Sequence, residues 1–179
     1  MKIGCVKEIK THEYRVGLTP SDVKTYVARG HEVQIQSNAG TSAGFENEEY
    51  IAAGAKIIEK REDIFATCEM IVKVKEPLPE EYPLFREGQI LYTYLHLAAD
   101  RVLTESLVKQ GIKGVAYETI EDETGHLPCL RPMSEIAGRL STQQGAKYLE
   151  KTFGGRGVLL GGVPGVSRGK VCLLYTSDA

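Results

Sequence analysis

The sequence predicts an α/β protein: a Rossmann-like open parallel sheet with flanking helices, followed by a long helix and the start of a second α/β unit. Three observations carry this prediction. Short apolar, β-prone runs recur along the chain, at residues 3–6, 70–74 and 90–95 among others. Runs of this length between turn residues read as buried parallel strands. Helix start and stop signals fall between the runs, and such alternation is the sign of βαβ units with right-handed crossovers. Several of the runs also lead into ionisable residues, and ligands of an open parallel sheet collect beyond the carboxyl ends of its strands.

Taken in order, residues 2–6 form the first strand, and a mixed-charge segment follows to Arg15. Thr19 then caps a helix with Pro20 at its first position and Asp22 in its first turn. Val23 and Val27 share a face of that helix, and Gly30 closes it. Residues 32–36 alternate apolar and polar and form the second strand. The small-residue loop 38–44 lacks a GxGxxG pattern and is given no phosphate. Asn47, with Glu48 and Glu49, caps a short helix ending near Gly54, and residues 56–58 and 61–66 form a brief strand and a helical turn. Strands follow at 70–74 and 89–93, then a helix capped by Asp100, carrying Leu103 and Leu107 and stopped by Gly111, then a strand at 112–116.

Residues 121–125 make a polar turn, and residues 127–132, with a proline near each end, read as a stiff extended connector. A boundary is therefore expected between a first domain, residues 1–131, and a second segment, 132–179. Ser134 caps the longest helix, 134–152, whose apolar side carries Ile136, Leu140 and Leu149. A glycine-rich apolar stretch at 154–166 precedes a strand opening at residues 170–174. No helix follows to cover that strand: either it borrows cover from the first domain or, the preferred reading, the chain is cut short, with its last residues, 173–179, foreign to the native coding sequence.

Bulk properties narrow the function. The chain has 179 residues, 42% hydrophobic and 26% charged, with a net charge of -2. It lacks the basic stripe of a nucleic-acid binder, a run long enough to span a bilayer, and the apolar core of a signal peptide. A cytoplasmic protein is the expectation. The four cysteines, Cys5, Cys68, Cys129 and Cys172, are widely spaced and read as reduced thiols, with neither a metal site nor a disulfide framework.

The candidate site residues follow from the strand ends. Arg15, Lys75 and His96 each come after an apolar run. A guanidinium, an ammonium and an imidazole on one rim suit a small carboxylic acid, gripped by the planar fork of Arg15 and the point charge of Lys75. Imidazole titrates near neutrality, which makes His96 the general acid/base. Tyr94, two residues earlier, borders the pocket. Each has a plainer alternative: a charged-loop arginine, a strand-end lysine reaching solvent, a packed histidine with one hydrogen bond. Lys73 reads as structural, and His12, His31 and His126 as solvated. Glu118 is either a partner of the site or, by preference, a turn carboxylate. Ser134, at a helix N-terminus, can cap the helix, present a hydroxyl or amides to a cofactor phosphate, or both.

Six motifs in order carry a resemblance. They are the opening (Val6 to Lys10, Glu13 to Val16, Leu18 to Pro20), Lys73 to Pro77, Leu95 to Ala98, Tyr117 to Thr119, Pro132 to Arg139 and Gly161 to Val166. Over about residues 1–171 the chain resembles the alanine dehydrogenase family. The α subunit of proton-translocating nicotinamide nucleotide transhydrogenase is similar too, but the Leu95 to Ala98 stretch and the surroundings of Lys75 look more like the dehydrogenase. The resemblance implies reversible NAD-dependent oxidative deamination of L-alanine to pyruvate and ammonia, in a homo-oligomer. It implies that Met133 lines the substrate pocket, that Ser134 lies at the NAD site, and that the segment after residue 132 is the truncated start of an NAD-binding domain. The family's dinucleotide fingerprint and catalytic aspartate lie further along than this chain runs, so the fragment is expected to be inactive alone. A small-carboxylate binding domain without redox chemistry is the reading from another class.

Overall fold

The computed structural model of the chain describes residues 1–173. It divides into two compact units, Met1–Ile120 and Glu121–Ala179.

The first unit is built on one six-stranded, wholly parallel sheet. Its elements are β1 (Lys2–Cys5), α1 (Pro20–Ala28), β2 (Glu32–Gln36), α2 (Asn47–Ala52), β3 (Lys56–Ile58), α3 (Arg61–Thr67), β4 (Met70–Val72), β5 (Ile90–Thr93), α4 (Arg101–Gln110) and β6 (Lys113–Ala116). The strand order is β3-β2-β1-β4-β5-β6. The winding therefore reverses at β1, which pairs with β2 on one side and β4 on the other. A crevice opens beyond the carboxyl ends of two strands where the order reverses, and this is where such folds bind ligands.

Period-two alternation assigns the faces. Ile3 and Cys5 of β1 join Val72 of β4 in one core with Val23 of α1 and Tyr50 of α2. Ile71 and Leu91 point the other way and pack with Ile64 and Phe65 of α3 and Leu103 and Leu107 of α4. Gly4 faces α3, where a Cβ would lie 2.3 Å from Ile64 Cγ2. A side chain there would push the helix off the sheet.

The expected strands and helices of this unit are present, with shifted ends. Thr19 caps α1 in a capping box with Asp22, as its sequence indicates, and Gly30 follows with φ 81°. At α2 the cap is Glu46, whose box partner is Glu49; Asn47 is the first helical residue and bonds back to Asn38 instead. The strand expected at 70–74 ends at Val72. Its ladder nevertheless continues, because Lys73 N donates to Tyr92 O and Tyr94 N donates to Val74 O. His31 is only half-exposed and meets the Tyr26 ring edge-on, so it is less solvated than expected.

The second unit contains a turn around Gly125, then α5 (Arg131–Tyr148). The extended connector expected at 127–132 is a turn running into this helix: Leu130 N and Arg131 N both donate to Leu127 O. Leu130 holds the cap position, not Ser134, and Pro132 lies in the first turn, where a missing N–H costs nothing. The helix stops at Tyr148 instead of 152, and residues 151–153 form a separate 3-10 turn. Residues 170–173 carry no strand, and the remainder of the expected strand and of the segment read as foreign falls at 174–179, outside the described residues. Among the described residues, no helix is long and apolar enough to cross a membrane.

Candidate active site

The crevice at the reversal point is shaped by segments leaving β1, β4 and β5. Arg15 comes from the segment after β1. It lines a cleft of about 340 Å³ together with Thr19, Phe45, Val74, Tyr94 and Tyr117. The cleft has an apolar wall, a guanidinium and two phenols. Tyr117 stands edge-on to both Tyr94 and Tyr92, at 4.7 and 4.3 Å between ring centres. Burial pushes its phenol well above the ordinary tyrosine range, so it stays protonated.

Arg15 is held in a fork by Glu13: Nε donates to Oε1 at 2.8 Å and Nη2 donates to Oε2 at 2.6 Å. The hydrogen bond from Arg15 keeps the Glu13 carboxyl below the usual carboxylate range, and Lys75 adds to the effect. Both predicted cations therefore act on one carboxylate. Lys75 itself is half-buried and does not line the cleft.

His96 lies on the exit of β5, three residues past the strand. Its backbone is left-handed, at φ 49° and ψ 36°. That conformation is uncommon for a residue with a side chain and is maintained by surrounding contacts. Glu118 supplies them: its carboxylate accepts from Leu95 N at 2.9 Å and from His96 N at 2.7 Å. Of the two readings of Glu118, the preferred turn carboxylate gives way to a carboxylate that fixes the backbone of His96. The pattern offered little signal for this, since the partners are 22 and 23 residues apart in sequence.

The imidazole meets a partner that the sequence did not single out. His96 Nδ1 is 3.1 Å from Glu76 Oε2. The sheet register explains the pairing. Val72 of β4 stands beside Tyr92 of β5, and the same offset carried forward sets Glu76 beside His96. Glu76 also bonds the Lys10 ammonium. Burial pushes the Glu76 carboxyl up, but the bonds from Lys10 and His96 bring it net below the usual range, so it is ionised. An ionised acceptor at Nδ1 assigns the proton to that nitrogen and leaves Nε2 for other chemistry. The His96 ring stacks on Tyr94 at 6.3 Å, which sets it next to the cleft although it is not part of the lining.

Lys73 is fully buried and paired with Glu8 and Glu81, away from the cleft. Met133 and Ser134 belong to the second unit. Met133 is partly buried in the first turn of α5 and Ser134 is exposed in the same turn. The early amides of α5 are engaged locally, with Met133 N and Ser134 N both donating to Leu130 O. This helix start is thus poorly suited to cradling a phosphate on its backbone, while the Ser134 hydroxyl remains suited to meeting one. Cys5 and Cys68 are buried thiols. No cluster of metal-ligating side chains occurs among the described residues.

Fold and site together define a class: a doubly wound parallel domain with cationic and protonatable side chains at its reversal point. The comparisons with known proteins name the family. The family model of the alanine dehydrogenase/PNT N-terminal domain matches residues 4–137, and that of the corresponding C-terminal domain matches residues 141–174. The chain belongs to the alanine dehydrogenase/PNT family. It is 54% identical over 174 residues to an alanine dehydrogenase of Methanococcus maripaludis and 53% identical to one of Bacillus subtilis. Both matches cover 97% of this chain, but only 47% and 46% of those relatives. The chain spans about half the length of the curated relatives it matches. A solved L-alanine dehydrogenase is 56% identical, with a TM-score of 0.80 over 94% of this chain and 46% of its own. A transhydrogenase from Sinorhizobium meliloti, 23% identical with a TM-score of 0.65, shares the fold.

Proposed function

We propose that this chain carries the substrate-binding part of an NAD-dependent alanine dehydrogenase. The overall reaction would convert L-alanine, NAD and water to pyruvate, ammonium and NADH, with release of a proton. Pyruvate and ammonium would be the substrates of the reverse direction. The observation that carries this reading is the shared crevice: Arg15 on the cleft wall, and His96 beside it, paired through Nδ1 with an ionised Glu76.

In this reading the substrate carboxylate lies against Arg15 and Lys75, and the methyl group faces the apolar wall formed by Phe45 and Val74. Tyr94 borders the same space, and Met133 is a substrate contact in this reading by its match to the family's motif. His96 moves the proton. Its free Nε2 takes a proton from the water that adds to the imine carbon, and returns it as the carbinolamine collapses to ketone and ammonia. Glu76 stabilises the charge that builds on the ring during the transfer. NAD supplies the hydride acceptor when bound, and the Ser134 hydroxyl is the contact proposed for it on this chain. The substrate-domain assignment of residues 1–131 and the cofactor-domain assignment of 132–179 go with this reading. So do a cytoplasmic location, where NAD and small keto acids are held, and a homo-oligomeric enzyme. Exposed Ile136 and Leu140 on α5 suit a subunit contact.

The test separates binding from turnover. Arg15→Ala in this chain is expected to weaken pyruvate binding, followed by titration calorimetry, by about 10- to 100-fold, the worth of a charged hydrogen-bond pair. In a full-length enzyme carrying this segment, His96→Ala should lower kcat by about 10²- to 10⁴-fold and shift pyruvate affinity far less. Unchanged affinity in the first variant, or near-normal turnover in the second, removes that residue from the mechanism.

A further inference from the structure

The segment that leaves β4 is tied down by buried charges that the proposed chemistry does not use. Lys73 is 0% exposed. Its ammonium lies 2.9 Å from Glu81 Oε1 and 3.3 Å from Glu8 Oε2. Glu81 is equally buried, and the Glu8 side chain is 3% exposed. Replacing such a cluster with apolar groups of similar volume is often neutral or stabilising, so stability alone is a weak account of it.

The remaining carboxylate oxygens all aim at one short stretch of backbone. Glu8 Oε1 accepts from Val74 N at 2.6 Å and reaches Lys75 N at 3.4 Å. Glu81 Oε2 accepts from Leu78 N at 3.0 Å, and Glu81 N donates to Leu78 O at 2.8 Å. Residues 73–78 are therefore gripped near both ends, by a side chain from the β1 exit and by one from the turn before Tyr82. Between the grips lie Lys75 and Glu76, the partner of His96. Two carboxylates facing one ammonium leave a negative excess. Accordingly, the Glu8 carboxyl is pushed above its usual range, chiefly by burial, with Glu81 adding to the rise and Lys73 opposing it.

We propose that Glu8, Lys73 and Glu81 are positioning residues, a buried ionic frame that delivers Lys75 and Glu76 to the ligand rim in register with His96. What the rim does rests on the function proposed above; where the frame holds it does not.

A neutral triple variant, Glu8→Gln, Lys73→Met and Glu81→Gln, keeps the side-chain volumes and one acceptor oxygen each at positions 8 and 81 but removes the charges. The experiment measures amide hydrogen exchange, thermal midpoint and pyruvate affinity of the 179-residue chain. The expected result is exchange about tenfold faster at Val74, Lys75 and Leu78, pyruvate affinity about tenfold weaker, and a midpoint close to that of the parent. Unchanged exchange at these amides overturns the proposal, as does acceleration spread evenly over β1 and β2, which reports lost stability alone. Faster exchange with unaltered pyruvate affinity also overturns it, since the rim would not depend on the frame. If the parent chain fails to bind pyruvate, the proposed function falls, and the exchange pattern still decides the frame. Should the triple variant not fold, Glu81→Gln alone is read by the same measurements.

Discussion

At the scale of single residues, several cations and the His96 ring are each held by a carboxylate. Arg15 has Glu13, His96 has Glu76, Lys73 has Glu8 and Glu81. The residues legible in the sequence were those with distinctive chemistry, above all Arg15 and His96. Their carboxylate partners were not, because a glutamate in a charged stretch gives no hint of what it faces until strand register is known. Cys5 gives a prediction at this scale. Full burial pushes its thiol up to about 12 from an ordinary 9.0. The folded state therefore keeps the thiol protonated in a window where the unfolded chain ionises. Its contribution is complete below about pH 9 and declines as pH rises toward 12. In urea unfolding, the stability of the parent relative to Cys5→Ala should fall by about 1.4 kcal/mol per pH unit through that window. A gap that does not change with pH would mean that water reaches the thiol.

At the scale of elements, local signals were reliable where a cap or a period set them. Thr19 with Pro20 and Asp22 fixed the start of α1, and Gly111 the end of α4, at φ 65°. The helix α5 starts ahead of Ser134, a good capping residue, because Pro132 is at home in its first turn and Leu130 takes the cap position. The exit of β4 was harder still. Lys73 interrupts an apolar run, and its burial depends on charges from two distant segments. The α3–β1 contact yields a prediction of its own. Gly4→Ala sets a methyl group 2.3 Å from Ile64 Cγ2 and near the Cys68 thiol. The expected cost is about 1–3 kcal/mol, an overpacking penalty, seen as a lower thermal midpoint. Gly30→Ala, with nothing within 4 Å, meets no such clash and should lose only what its positive φ costs. Equal losses in the two variants would show that α3 yields freely.

At the scale of the whole chain, the sheet order was the least legible feature. Alternation of strands and helices indicates parallel pairing, but not which strand lies in the middle. Here it is β1, whose neighbours begin at Glu32 on one side and Met70 on the other. Of the six strands, a ribosome therefore releases the keystone ahead of the other five, and it waits for more than sixty residues before its second edge is covered. Contacts so far apart in sequence slow the search for the native state. Refolding by stopped flow should accordingly be slow, on a timescale of about milliseconds to seconds, and nascent chains arrested ahead of Met70 should expose one edge of β1 to chaperones or to one another. Submillisecond recovery of the complete sheet would show that its two wings assemble before they meet.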